Sequence, residues 1–176
     1  MLNELLSQRR SIRKFESRAV SKEQVELLAE ALLRAPSSRN RQPWEFVIID
    51  DPEKLQRLGA AKQHGSAFLE GAPLAVVVAA DPDICDVWIE DCSIAAILVQ
   101  IAAEALGLKS CWVQIRLRKT DHGRNAEDEV REIVGLPDRF RVDCIVGIGH
   151  PDENKEGHAR ADLSWSKIHR NVFEES

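Results

Sequence analysis

Two stretches of the chain carry more chemistry than their local structure requires. The first is "RRSIRKF", Arg9 to Phe15. Arg9, Arg10, Arg13 and Lys14 place four cations within six residues of a chain whose net charge is −5. Guanidinium forks match the paired oxygens of a phosphate, and Ser11 adds a hydroxyl donor, so the segment can clamp a phosphate. It can equally be a solvated basic face at a helix end, where cations are favoured by the helix dipole. The second stretch is "APSSRNRQPWEF", Ala35 to Phe46. Ser37, Ser38, Asn40 and Gln42 offer small hydrogen-bonding groups on backbone that Pro36 and Pro43 stiffen. Such an elbow can read the edge of a planar ring, or it can simply cap its own backbone.

Other candidates point elsewhere or nowhere. The four cysteines, Cys85, Cys92, Cys111 and Cys144, are scattered, with no Cys-x-x-Cys and no histidine at ligand spacing. Buried reduced thiols are expected, and no zinc site. His64, His122, His150, His158 and His169 fall in no Ser/His/Asp or Cys/His pattern and read as surface or structural groups. "GIGHP" lacks the Gly-x-Gly-x-x-Gly run of a dinucleotide fingerprint. The tryptophans read as core or interface anchors.

The elements that must position these stretches alternate in type. A short helix fits Asn3–Gln8. A second begins at Ser21, where Ser-x-x-Gln forms a capping box. Its apolar stripe is Val25, Leu28, Ala29, Leu32 and Leu33, and Pro36 stops it. A strand is expected over Phe46–Asp50. Asp51-Pro52 then caps and opens a helix to about Leu58. "LAVVVAA", Leu74–Ala80, is apolar on both faces and suits a central strand. Glu90–Leu106 is a helix apolar nearly all round, which suits a subunit interface in a chain this short. Strands follow at Ser110–Ile115 and Val142–Pro151, with a helix at Ala126–Val134 ending on Gly135. The polar tail has only Leu163, Trp165, Ile168, Val172 and Phe173 as apolar anchors. The fold class is α+β or α/β, with four or five strands covered by helices, and the order of the strands is not readable.

The bulk numbers exclude some classes. A pI near 5.6 disfavours a nucleic-acid binder, despite "RRSIRK". No apolar run reaches the roughly 18–20 residues of a membrane span. "MLNELLSQRR" has no apolar signal core, so the cytoplasm is the expected location.

Taken together and in order, "RRSIRKF", "APSSRNRQPWEFVII", "GAPLAVVVAAD", "DCSIAAILVQIAAEALGLKSCWV" and "VDCIVGIGHPDE" resemble the nitroreductase family of flavin-dependent NAD(P)H oxidoreductases. The resemblance runs from about residue 4 to residue 153. It implies an α+β three-layer sandwich, with a central, mostly antiparallel sheet flanked by helices and a long central dimer helix. The domain would span 1–153, and the tail 154–176 would wrap the dimer partner. The family implies a homodimer with FMN at the subunit interface, contacted by both chains, and NADH or NADPH as electron donor.

Carried over by position, Arg9, Arg10 and Ser11 would hold the FMN phosphate and ribityl chain, and Arg13 the flavin N1 and C2 oxygen. Pro36, Ser37, Ser38 and Asn40 would reach the partner's flavin, and the backbone of Gln114 and Ile115 would approach N5. Many relatives carry an amide before the "AP" strand, at the flavin's pyrimidine edge. Here Ser66 aligns, with Gln63 or His64 a small shift away. Arg160 or Lys155 would complete the phosphate site. The extra helical insertion of larger members is missing, so the lid would be small, at Asp81–Trp88. The reaction implied is ping-pong hydride transfer through flavin N5 to nitroaromatic, quinone or similar acceptors. Enone reduction, dehalogenation, ring dehydrogenation, or flavin binding with little turnover are the alternatives on the same fold.

Overall fold

The computed structural model describes residues 2–175, so the outermost residue of the expected domain, Met1, and of the tail, Ser176, lie outside it. Four strands form one sheet in the order β1-β2-β4-β3, every neighbouring pair antiparallel: β1 (Trp44–Ile49), β2 (Leu74–Ala80), β3 (Lys109–Gln114) and β4 (Arg141–Gly149). β2 is buried along its whole length, as its two-faced apolar run requires.

Side chains alternate along the strands between two cores. Val76, Val78, Val146 and Ile148 pack under α2 (Lys22–Leu33) and α4 (Trp88–Ala105). Val77, Val113, Val142 and Ile145 pack under α3 (Pro52–Gly59), α5 (Ala126–Val134) and the short turn Ala67–Gly71. The result is helix, sheet, helix: the three-layer α+β sandwich that the resemblance implied. α1 (Leu2–Gln8) lies against α4.

The local signals act as expected. Ser21 and Gln24 close the capping box of α2 reciprocally. Asp51 accepts from the Glu53 and Lys54 N–H groups ahead of α3. Gly135 takes the left-handed conformation, φ 72°, that ends α5. α4 is long enough to cross the sheet, and Ala95, Ala96 and Ala103 let it approach closely. Its other side leaves Ile94 and Ile97 in solvent, 38% and 39% exposed. Among the described residues no helix is long and apolar enough to cross a membrane.

After α1 the chain runs along the outer edge of β3. Ser11 bridges Ser110 in parallel, and the Ile12 N–H donates to the Ser110 carbonyl. The segment then meets the chain beyond β4: the Glu16 N–H donates to His150, and the Asp152 N–H to Lys14. One close approach depends on glycine. A Cβ on Gly147 would stand 2.7 Å from Phe68 and 2.8 Å from Leu69, so the turn over this face packs directly on bare backbone.

Candidate active site

Ile12, buried at 2% exposure, pins the basic segment to the sheet edge. Its neighbours Ser11 and Arg13 gather with Arg9 and Lys155 around the Cys111 thiol of β3. Burial pushes that thiol up, against the pull of Arg13, the Ser11 hydroxyl, Lys155 and Arg9. Lys155 Nζ donates to the Ser11 carbonyl at 3.2 Å and pairs with Glu153 at 3.0 Å. Glu153 in turn accepts from the Arg13 and Lys14 N–H groups, and the first of these does most to hold its carboxyl below the usual range. Arg10 donates to the Glu156 carbonyl. A cleft of about 300 Å³ lies here, lined by Arg10, Lys109, Glu153 and Lys155 among others. Five polar or cationic groups, Arg9, Arg10, Ser11, Arg13 and Lys155, thus meet at one corner of the sheet.

The sequence missed one cation nearby. Lys62, just beyond α3, interacts with Cys111 and Arg118, and burial together with Arg118 lowers its pKa. The available signal was the one lysine in "AAKQHGSAF", four positions before Ser66. Ser66 is buried, and its hydroxyl donates to the Gly59 carbonyl at 2.8 Å. It closes the end of α3. Arg160 stands in the tail, its guanidinium 4.7 Å from the Trp165 ring. Of Arg160 and Lys155, Lys155 is the one tied to Ser11.

Further along β3, the edge is paired by the N-terminal segment at Ser110 and left open toward Gln114, among the described residues. The Gln114 side chain accepts from Trp112 Nε1 at 3.1 Å and donates to the Arg116 carbonyl at 3.1 Å. Ile115 is fully buried, and the N–H groups of Ile115 and Arg116 both donate to the Asp143 carbonyl. A turn closed by Arg118 N–H to Ile115 follows, with Leu117 exposed at φ 60°.

The elbow stores backbone strain. Arg39, Asn40 and Gln42 have φ of 52°, 53° and 48°, a region that L residues other than Asn and Asp rarely enter. Clamps hold it there. Ser37 Oγ accepts from the Gln42 N–H at 2.9 Å. The Ser38 N–H donates to Asp91 Oδ1, a buried carboxylate in the first turn of α4, at 2.9 Å. Arg41 donates to the Ile84 carbonyl, which ties the expected lid, Asp81–Trp88, to the elbow. Backbone in these regions persists only where its surroundings hold it, and these three bonds do so.

The fold separates the two stretches. The elbow enters β1, while Arg9–Ser11 borders β3, and these are opposite edges of the sheet. Three strand spacings make about 14 Å. The elbow lies beyond Trp44, which pairs with Ala80; Ser11 lies beside Ser110, which pairs with Ile148 and through it with Leu74. The six residue steps from Leu74 to Ala80 add about 20 Å along the strands, so the diagonal from Trp44 to Ser110 is about 25 Å. Arg9, Arg10, Ser11 and Arg13 are brought together; Pro36, Ser37, Ser38 and Asn40 stand at the far corner. A larger cleft, about 490 Å³, lies on α5, but Arg124 and Arg131 there are ion-paired to Glu129, Glu132, Asp128 and Asp138.

Known proteins share this fold. The nitroreductase family model matches residues 6–66 and 59–150. A protein of Archaeoglobus fulgidus provisionally named NADH dehydrogenase/NAD(P)H nitroreductase is 34% identical over 167 residues, 92% of each chain. The NADPH-flavin oxidoreductase of Vibrio harveyi is 30% identical over 181 residues, 94% of this chain and 72% of its own. Among solved structures, an FMN-dependent nitroreductase from Clostridium difficile R20291 superposes with a TM-score of 0.94 at 44% identity, covering 96% of this chain and 98% of its own. The chain belongs to the nitroreductase family.

Proposed function

We propose that the protein is an FMN-dependent NAD(P)H oxidoreductase working as a homodimer, with each flavin held between two chains. The observation that carries this is the diagonal: the arginine corner and the strained elbow are both furnished for a ligand, yet lie about 25 Å apart in one chain. A second copy packed on the apolar outer face of α4, around Ile94 and Ile97, would bring one chain's elbow toward the other's arginine corner. The tail, exposed throughout from His158 to Glu175, carries Leu163, Trp165, Ile168 and Phe173 that such a partner would cover.

The donor set fits FMN. A phosphate is a near-dianion, and Arg9, Arg10, Ser11 and Lys155 offer the charge-assisted donors that offset its desolvation. When bound, FMN supplies hydride chemistry at N5. Arg13 and Lys62 place fixed cations on the Cys111 side of the same corner, where they would stabilise charge growing on the flavin's pyrimidine ring. The backbone at Gln114, where the β3 edge is open, would orient N5, with the next residue, Ile115, anchored through its N–H on the Asp143 carbonyl. Ser38 and Asn40 of the partner subunit would close the second side. Donor and acceptor would use one open face in turn, which gives ping-pong kinetics. Nitroaromatics and quinones suit a shallow interface pocket that selects weakly.

The test is a visible spectrum of the purified, FMN-reconstituted protein after gel filtration. A retained flavin band that NADH or NADPH bleaches without oxygen, and that a quinone or nitroaromatic restores, is expected. Loss of the flavin on the column would sink the proposal.

A further inference from the structure

β4 carries one residue more than β2 can pair. The register shifts between the Val78–Cys144 and Ala79–Val142 pairs, and Asp143 is the residue left over. A bulge re-aims a side chain, and here it turns a carboxyl group inward. Asp143 is 2% exposed, and its Oδ2 has no hydrogen-bond partner among the described residues. Its main-chain carbonyl accepts from the Ile115 N–H at 3.2 Å and the Arg116 N–H at 3.0 Å. One residue therefore buries an acid and fixes the segment assigned above to flavin N5.

The groups facing that acid come from every element around it. α4 presents Ser93 and Cys92, with Asp91 beside Cys92; β4 presents Cys144; α5 presents Glu127; the turn after β3 presents Arg116. β2 opposes the bulge with Val78 and Ala79, and β3 ends on neutral Gln114. Arg116 is the one cation in this set, against the carboxyls of Asp143, Asp91 and Glu127. Its guanidinium also lies 6.0 Å from the Trp88 ring at the start of α4. A buried acid with an unmade hydrogen bond calls for a reason; Arg116 is the cation whose charge pulls on it, while its guanidinium lies beside Trp88.

We propose that Asp143 is a positioning residue for the N5-facing segment, and that its ionisation sets whether the Arg116 cation is drawn inward or freed toward the flavin edge. The flavin half of this inference rests on the function proposed above. Burial raises the carboxyl from its ordinary 3.8 to about 6, against the pull of Arg116. The change of state thus falls just below neutral pH: ionised above about 6, with Arg116 held, and neutral below.

Asp143→Asn keeps the shape and removes the titration. Two readouts follow it across the pH range centred on about 6: tryptophan emission of the FMN-free protein, and the reduction potential of bound FMN. The wild type should show a step in emission and a break in the potential–pH line at the same pH. Asp143→Asn should lose both while binding FMN within about twofold of wild type, a change well under 1.4 kcal/mol. Trp88→Phe should lose the emission step alone. Should Asp143→Asn fail to fold, Arg116→Gln, at a half-buried site, should also abolish the step. A step or break unchanged in these variants, or absent from the wild type, overturns the proposal. Failure to bind FMN would instead sink the proposed function, and the emission titration of the FMN-free protein would still decide the Asp143–Arg116 pairing.

Discussion

Asn40 shows how backbone and side chain share a task. Its φ of 53° suits asparagine or glycine, and an alanine there would add strain to any loss of contact. Asn40→Gly is the cleaner variant: it should weaken FMN binding about tenfold, roughly 1.4 kcal/mol, with an unchanged melting temperature by circular dichroism. Gly147→Ala should do the reverse. Its methyl must displace Phe68 and Leu69, at about 1–3 kcal/mol of stability, read by urea unfolding. Asp143 adds a pH dependence of known sign. Its folded pKa is raised, so the native state holds the proton more tightly than the unfolded chain. The Asp143 contribution to stability is then full below 3.8 and is lost as pH rises to about 6. Urea midpoints of wild type and Asp143→Asn should diverge across that window. The residues of the arginine corner were legible because four cations crowd into the six positions from Arg9 to Lys14. Arg39 and Gln42 gave no sign of their left-handed backbone, since neither type signals it. Ser66 aligned by position with a flavin contact, but only the fold shows that its hydroxyl caps Gly59.

At the level of elements, periodicity carried most of the weight. α5 and β2 have the limits expected from the sequence, and α4 begins two residues earlier than expected and ends one earlier, at Trp88 and Ala105. β1 also starts two residues early, because Trp44 is buried and pairs with Ala80 despite following Pro43. The clamp between elements was invisible: Asp91 sits in a helix and Ser38 in a loop, 53 positions apart. Asp91→Ala leaves the Ser38 N–H without its acceptor and should cost about 1–3 kcal/mol, together with FMN affinity. α4 also carries the prediction about assembly. Ile94→Asp with Ile97→Asp puts charge on its outer face and should yield monomers by sedimentation that no longer retain flavin.

For the whole molecule, what the sequence could not supply was the strand order, and with it the distance between the two furnished corners. Local patterns specify strands; which strands become edges depends on long-range pairing that no single stretch encodes. With β1 and β3 at opposite edges, the proposed site would draw its two corners from two chains. Complementation between two defective subunits tests this most directly. One carries Arg9→Ala with Arg13→Ala; the other carries Asn40→Gly with Ser38→Pro, which removes the N–H held by Asp91. Each homodimer should bind FMN poorly. A composite site predicts that the purified mixed dimer regains one intact site, with FMN at wild-type affinity and half the wild-type stoichiometry. A mixed dimer that binds no better than either parent would contradict it.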